Sequence, residues 1–576
     1  MNENVKVVFG LIGGLALFLY GMNSMSDALQ KAAGDKMKKV LGFLTRNPIM
    51  GALAGMLVTA VLQSSSATTV MVIGFVSAGL MSLPQAISVI FGANIGTTMT
   101  AQLMAFKISN YIYPIIFVGF MLYFLGKKEK FKNIGMVIFS FGLLFEGIEI
   151  MGSVMKPLAN SAVFINLMGK VADIPILGVG LGMIMTLVVQ SSSATIAVLQ
   201  NFASQAGPDG VHSVIGLAGA IPILLGDNIG TTITALLASI GQSKNAKRTA
   251  IAHSIFNISG SVVFLFLIPW FSRFVQYISP KGDEIAIISR QIANAHTTFN
   301  VVCTLVWLPL IPVMVKIVTF LIRGEDKKLK PIYEPKYLDE NVIEQPVAAM
   351  YMVSKELNRL AGFTTEMLLS LKSTIMNNRS EDSQQKFTEK LQSVDYLQDR
   401  ISEYITKMFS SGNLTENQSE KIAGLLFVSN NIQRVSDRCR DIDSIYENVT
   451  ASGLSFSEDA AKELDNCLSI IENLLSKAIN AIRKGDQAEA EQVLKSKNKI
   501  RKAEKKFSKA HLSRVKNKVC NPAMTVYYSG ILDNIDRIAE NCASIAEEAL
   551  DNTAFVEISE DAKKAEIEAS GKAVLA

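Results

Sequence analysis

Two short stretches of this sequence gather side chains that could hold an ion: QSSSATTV at residues 63–70 and QSSSATIAV at 190–198, each inside a long apolar run. Gln63, Ser64, Ser65, Ser66 and Thr68, and in the second stretch Gln190, Ser191, Ser192, Ser193 and Thr195, offer neutral donors and acceptors and no cation. Burying such a group unsatisfied costs roughly 1 to several kcal/mol, so the cluster needs partners. An oxyanion could bind where hydroxyls and free backbone N–H groups converge at half-helix N-termini, because the helix dipole favours negative charge there. Serine-rich breaks followed by helix formers fit such starts.

A second motif follows each stretch, FGANIGTTMT at 91–100 and LGDNIGTTIT at 225–234. Asn94, Thr97, Thr98, Asn228, Thr231 and Thr232 bring amide and hydroxyl oxygens that, with unwound backbone carbonyls, are hard ligands suited to Na+. Asp227 stands where the first copy has Ala93. An ionisable residue inside a membrane is a functional candidate by default, and helix capping is the plainer role open to it. The competing account of the whole set is small-residue helix packing, worth about 0.6 kcal/mol per hydrogen bond. Two long motifs duplicated in register argue against it. A third matched pair, AHSIFN (252–257) and AHTTFN (295–300), places His253, Asn257, His296 and Asn300 near helix starts, where packing, capping and direct contact are all open. Glu146 and Glu149 fall in an apolar run and could face a cavity.

The elements that must position these groups are legible as a duplication. NPIMGALAGMLVTAVLQSSSATT (47–69) matches IPILGVGLGMIMTLVVQSSSATI (174–196), and LFLYGMNSM (17–25) aligns with LLFEGIEIM (143–151). One unit of roughly 125 to 135 residues has been copied. Apolar runs long enough for a core of about 30 Å lie near 5–29, 84–107, 111–126, 132–153, 211–240, 249–270 and 293–322. The two QSSSAT segments, broken by polar residues at their midpoints, read as re-entrant hairpins of two half-helices, which survive only where protein or water lines them. Lysine and arginine in short loops (36–46, 127–132, 244–248 and 323–330) fall on one side when neither hairpin is counted as a crossing. That places the N-terminus, read as a retained transmembrane helix, outside and the C-terminal half in the cytoplasm. Three crossings per copy, an odd number, insert the second copy upside down relative to the first, as in secondary transporters.

Charge separates the two halves. Residues 1–322 hold 20 Lys/Arg and 11 Asp/Glu, leaving 36 and 40 for the remaining 254 residues. Five cysteines without CxxC spacing indicate neither a disulfide framework nor a metal site. The expected fold is all-α: a multi-pass membrane domain over 1–323, with repeat 1 at about 5–130, repeat 2 at about 131–270 and an extra helix at 293–322. A linker at 324–344, a helical domain at 345–550 and a flexible tail at 551–576 complete it.

The paired QSSSAT and GxNIGTT motifs resemble the type II sodium/phosphate cotransporter family over roughly 5–320. The resemblance implies sodium-coupled movement of inorganic phosphate across the cell (inner) membrane. It assigns Gln63 to Ser66 and Gln190 to Ser193 to the centre that holds phosphate and sodium. Each negative charge entering against an inside-negative potential costs about 2.3 kcal/mol per 100 mV, so a phosphate dianion needs at least two Na+.

In the polar half, long polar-apolar patterns with breaks near 377–382, 411–416, 451–457, 484–487 and 519–522 predict six helices. NNIQRVSDRCRDI (430–442) aligns with DNIDRIAENCASI (533–545), which indicates two three-helix units. These segments, with VDYLQDRI (394–401), resemble the PhoU family of phosphate-signalling regulators, whose acid-Arg-Ile-small-acid pattern is associated with metal clusters. Asp437, Asp441, Asp536 and Glu540 are the metal candidates, but Gln433 replaces one acid of the pattern, and solvated helix faces are the competing reading. The resemblance implies regulation by phosphate status through a cytoplasmic signalling partner. No nucleotide loop, metal-ligand cluster or nucleophile-base pair points to an enzyme, and nothing indicates an organic cofactor or a nucleic-acid partner. The alternatives are a phosphate exporter, a carrier of another oxyanion, and a membrane-anchored phosphate sensor.

Overall fold

The computed structural model describes residues 3–33, 47–106, 108–159, 170–171, 173–207, 209–324, 334–377, 381–412, 414–551 and 553–555. The chain divides into two compact units, which meet in sequence between Asp326 and Lys327. The basic loop at 36–46, residues 325–333 of the linker and the tail beyond 555 lie outside the described residues.

Apolar runs become helices in the first unit because hydrocarbon offers no partner to an exposed N–H or C=O. The helices are α1 (Glu3–Ala33), α2 (Pro48–Leu62), α3 (Ser65–Ser77), α4 (Leu83–Met104), α5 (Ile112–Leu125), α6 (Glu129–Ala159), α7 (Pro175–Val189), α8 (Ser192–Ala203), α9 (Gly216–Ala238), α10 (Lys244–Phe266), α11 (Ile268–Ile278), α12 (Glu284–Trp307) and α13 (Ile311–Leu321). Val5–Ala32, Glu129–Met155, Gly216–Ala238 and Lys244–Phe266 are each long and apolar enough to cross a bilayer. Two bent pairs, Leu83–Met104 with Ser109–Leu125 and Glu284–Trp307 with Ile311–Leu321, reach that length together. Helices α2 and α7 are 15 residues each, α3 is 13 and α8 is 12. At 1.5 Å per residue each spans only about 18 to 23 Å, short of a bilayer core.

The extra span expected at 293–322 is not one helix. It begins earlier, at Glu284, and bends by 85° between α12 and α13. Pro309 and Pro312 explain the break, since proline removes a backbone donor and clashes with the preceding turn. Pro269 marks the similar break between α10 and α11 inside the run expected at 249–270.

Close packing fixes the two halves of the duplication in the same way. A Cβ on Gly55 would lie 2.1 Å from Val89 O and one on Gly92 1.8 Å from Ala52 O, which brings α2 and α4 into backbone contact. In the second copy the values are 1.9 Å for Gly182 on Ile223 O and 2.0 Å for Gly226 on Val179 O, between α7 and α9. Helices α10 and α12 complete the arrangement, each touching both α4 and α9. Ser261 donates to Leu225 O and Thr304 to Phe91 O, both at 3.2 Å and both at matching places.

The second unit is a helical bundle of α14 (Pro346–Asn377), α15 (Glu381–Ser410), α16 (Glu416–Ala451), α17 (Glu458–Lys484), α18 (Gln487–Lys516) and α19 (Met524–Leu550). The breaks fall where the polar-apolar pattern stops. Helix α16, started by a capping box at Thr415 and Gln418, packs along α19, and each is flanked by the other two helices of its own copy.

Candidate functional site

Each QSSSAT stretch is the junction between two half-helices, and the chain turns there through an unusual conformation. Gln63 has φ +50° and Gln190 φ +54°. Among the described residues Lys518 is the one other non-glycine with positive φ. A left-handed residue with a Cβ costs roughly 1–2 kcal/mol, so the turn is held by its surroundings. The following serine caps the next helix in both copies: Ser64 Oγ accepts from Ala67 N and Ser191 Oγ from Ala194 N, each at 3.2 Å. The N–H groups of Ser65, Ser66, Ser192 and Ser193 lie in first turns, where no helical carbonyl can reach them.

A buried threonine pair ties each junction to the half-helix before it. Thr59 donates to Thr68 at 2.8 Å, and Thr186 lies 3.0 Å from Thr195. Thr68 and Thr195 in turn donate to Ser64 O and Ser191 O. Sequence reasoning aligned Thr59 with Thr186 but gave neither a role. The same is true of Thr100 and Thr234, which the structure also brings to the junctions; their identity at matched repeat positions was the available signal.

The copies then diverge. Gln63 is buried, its amide donating to Ala60 O and its oxygen accepting from Thr100 at 2.7 Å. Gln190 is exposed, and Thr234, the counterpart of Thr100, crosses to Ser66 of the first copy at 3.1 Å. Asp227, wholly buried, accepts from Thr186 at 2.6 Å through Oδ1, while its Oδ2 has no partner among the described residues. Ala93 gives the first copy no such group.

The GxNIGTT motifs differ from expectation in one respect. Helices α4 and α9 run unbroken through them, so no unwound carbonyls face a cation there. Thr97, Thr98, Thr231 and Thr232 donate to Ala93 O, Ile95 O, Asp227 O and Ile229 O of their own helices, which leaves only hydroxyl lone pairs to offer. The glycines serve helix contact instead of unwinding: Gly92 faces Ala52, and Gly96 faces Met56 and Thr59. Asn94 and Asn228 donate to Ile90 O and Leu224 O. Their oxygens are met by the third motif pair, His253 Nε2 on Asn94 Oδ1 and Asn300 Nδ2 on Asn228 Oδ1, both at 3.2 Å.

His253 and His296 are therefore not caps. They sit well inside α10 and α12, which start at Lys244 and Glu284. Glu146 and Glu149 lie away from the junctions, within reach of Tyr113 and Ser109. Among the described residues no lysine or arginine joins the site: Arg248 donates to Ile322 O and Gly324 O, and Arg290 to Gln102.

In the second unit all four metal candidates face arginine. Asp437 pairs with Arg440, Asp441 with Arg438 at 2.9 Å, and Arg501 serves both Asp536 (3.7 Å) and Glu540 (2.9 Å). Gln433 donates its amide to Asp395. Among the described residues no three His, Cys, Asp or Glu side chains group as a metal would require.

Apolar spans, twice-written polar junctions and helical packing define a polytopic membrane protein with a second, helical unit. The sequence matches the Na+/Pi-cotransporter family model twice, over residues 17–153 and 147–279, and the PhoU domain model twice, over 357–444 and 464–549. The chain belongs to the Na+/Pi-cotransporter family, a family of phosphate transporters, and carries a PhoU domain in two copies. It is 25% identical over 549 residues to the "Putative inorganic phosphate export protein YjbB" of Salmonella typhimurium, covering 94% of this chain and 97% of that protein. It is 34% identical to "Uncharacterized protein YqeW" of Bacillus subtilis over 266 residues, 46% of this chain and 84% of that one. Over 99 residues it is 38% identical to "Sodium-dependent phosphate transport protein 2A" of Rattus norvegicus, covering 16% and 15% of the two chains. No solved structure matches.

Proposed function

We propose that this protein couples movement of inorganic phosphate to sodium, with both held between the two QSSS junctions. One observation carries the reading: the same strained glutamine, capping serine and first-turn N–H groups without helical acceptors occur twice, in apolar surroundings and, among the described residues, with no lysine or arginine beside them. Ser65, Ser66, Ser192 and Ser193 supply hydroxyls and first-turn N–H groups to the anion, and the positive charge comes from the cation. Hydroxyl lone pairs of Thr97, Thr98, Thr231 and Thr232, the amides of Asn94 and Asn228 and the Asp227 carboxylate are the sodium side of the site. Two Na+ balance the roughly 2.3 kcal/mol per charge per 100 mV that a phosphate dianion meets, and a third lets the potential drive entry. An inverted relation of the two copies, with the site near mid-membrane, needs an odd number of crossings in each copy and suits alternating access. In this arrangement the PhoU domain is cytoplasmic, beneath the inner membrane, and reports phosphate status to a signalling partner.

Net export is the second reading, favoured by likeness along nearly the whole chain to a protein named for phosphate export. Flux of labelled phosphate in proteoliposomes under imposed sodium gradients tests both, with sulfate and arsenate as competitors. Uptake that requires sodium on the same side and is lost in Ser65→Ala or Ser192→Ala supports the proposal. Each lost hydrogen bond to a charged ligand is worth about 1.5–3 kcal/mol, or roughly tenfold to a hundredfold in affinity. Flux indifferent to sodium, or intact in both variants, refutes it.

A further inference from the structure

The two halves of the PhoU unit are copies, yet one pair of matching helices differs electrically. Helix α15 carries six acidic and four basic residues; α18, its counterpart, carries three and ten. Five lysines of α18, Lys495, Lys499, Lys502, Lys506 and Lys509, recur at alternating steps of four and three and are all exposed. Such spacing puts them in one line, about 21 Å long at 1.5 Å per residue. The line continues through Leu512, 55% exposed, to Lys516 at the helix end, and Val519, 66% exposed, follows beyond the left-handed Lys518.

Among the described residues the ridge makes contacts only within its own helix, with Lys506 lying 5.9 Å from the Phe507 ring centre. Lys495 pairs with Glu491 of its own helix, and among the described residues the other four make no ion pair. The helix is held from its other sides, by buried Ala490, Val493, Ile500 and His511 and by Arg501 and Arg514, which face acids of α19 and α17. Like charges at i, i+4 oppose helix formation, so the ridge burdens the fold that carries it. Helix α15 fills the matching place without one.

We propose that the ridge docks on the anionic lipid headgroups of the membrane that holds the first unit. A straight exposed line of ammonium groups has no cradle for one small anion, but it suits a plane of negative charge, with Leu512 and Val519 entering the interface. The chain from Arg323 to Pro346 is at most about 80 Å long when fully extended, so the bilayer is always within reach. The inference rests on the first unit being in a bilayer and not on phosphate or sodium movement.

Lysine acetylation followed by mass spectrometry, on the full chain in nanodiscs, tests it. In discs rich in phosphatidylglycerol at about 0.1 M salt, the ridge lysines should react about fivefold more slowly each, equivalent to about 1 kcal/mol per lysine. The protection should vanish at about 1 M salt, where the Debye length falls to about 3 Å, and in phosphatidylcholine discs. Exposed Lys462 of α17 is the internal control. In Lys502→Glu/Lys506→Glu/Lys509→Glu, with helix content unchanged by circular dichroism, Lys499 and Lys516 should lose their protection. Equal rates in the two kinds of disc overturn the proposal. So does protection that persists in detergent, which points to a protein on the ridge, or that inorganic phosphate alone reproduces in phosphatidylcholine discs.

Discussion

Substituting alanine at two glycines of α7 should move stability in opposite directions. Gly180 has nothing within 4 Å of where its Cβ would be, and the first copy places Leu53 there. Gly180→Ala should therefore show only the helix-propensity gain, about 0.5–1 kcal/mol. At Gly182 the new Cβ would lie 1.9 Å from Ile223 O, 2.8 Å from Ile223 C and 3.0 Å from Asp227 N, all backbone atoms. To restore contact distance α7 and α9 must part by about 1 Å or more, which stretches the hydrogen bond from Thr186 to Asp227, now 2.6 Å, beyond range. Overpacking of about 1–3 kcal/mol and about 1–3 kcal/mol for a carboxylate left without its donor outweigh the propensity gain, for a net loss of about 1–5 kcal/mol. Thermal unfolding in detergent, followed by circular dichroism alongside phosphate flux in proteoliposomes, reads both effects. A Gly182→Ala protein as stable as Gly180→Ala would show that the two helices are not in backbone contact.

Gln190→Gly should raise the unfolding midpoint, because it releases about 1 kcal/mol of left-handed strain and Gln190 is exposed; Gln63→Gly should not, since it also removes the bonds to Ala60 and Thr100. Equal shifts would contradict the asymmetry between the copies. Ser64→Ala and Ser191→Ala should each lose about 1 kcal/mol of cap energy, seen as faster hydrogen exchange confined to the first turns of α3 and α8. In the PhoU unit, burial raises the Glu463 carboxyl, but hydrogen bonds from Arg514 and Tyr528 and the Arg514 charge outweigh it and hold the group below its usual range. A depressed carboxylate stabilises above its unfolded value, near 4.3, and loses that contribution as pH falls through the lower folded value. Exchange in α17 and α18 should thus rise below about pH 4 in the native chain, and the dependence should flatten in Glu463→Gln, which is about 2–3 kcal/mol less stable at neutral pH.

Much of this architecture could be read from the residues. The two QSSSAT stretches stood out because polar side chains in apolar runs carry a cost, and the six helices of the PhoU unit because Gly, Pro and polar clusters interrupt their patterns. The left-handed turns were hidden, since glycine or asparagine is the usual sign of positive φ and glutamine gives none. Glycine in GxNIGTT carries two meanings, an unwound strand of chain or a close helix contact, and only the neighbouring carbonyls of Ala52 and Val179 decide for the second. The sequence pattern puts His253 and His296 near helix starts because hydropathy marks depth in the bilayer and not helix ends; α10 and α12 begin earlier, at the charged residues Lys244 and Glu284. Sequence alone could not show the pairing of His253 with Asn94 and of Asn300 with Asn228, because it joins motifs 159 and 72 residues apart.

Thr100 and Thr234 occupy the same place in the two copies but choose different partners, one within its own half and one across the divide. Exchanging the choice, so that Thr100 reached Ser193 and Thr234 reached Gln190, would break and make the same two kinds of hydrogen bond. The duplication therefore writes the partners for both choices into one chain, of which the structure takes one. What tips the balance between them falls to the positions where the copies disagree, Asp227 against Ala93 foremost.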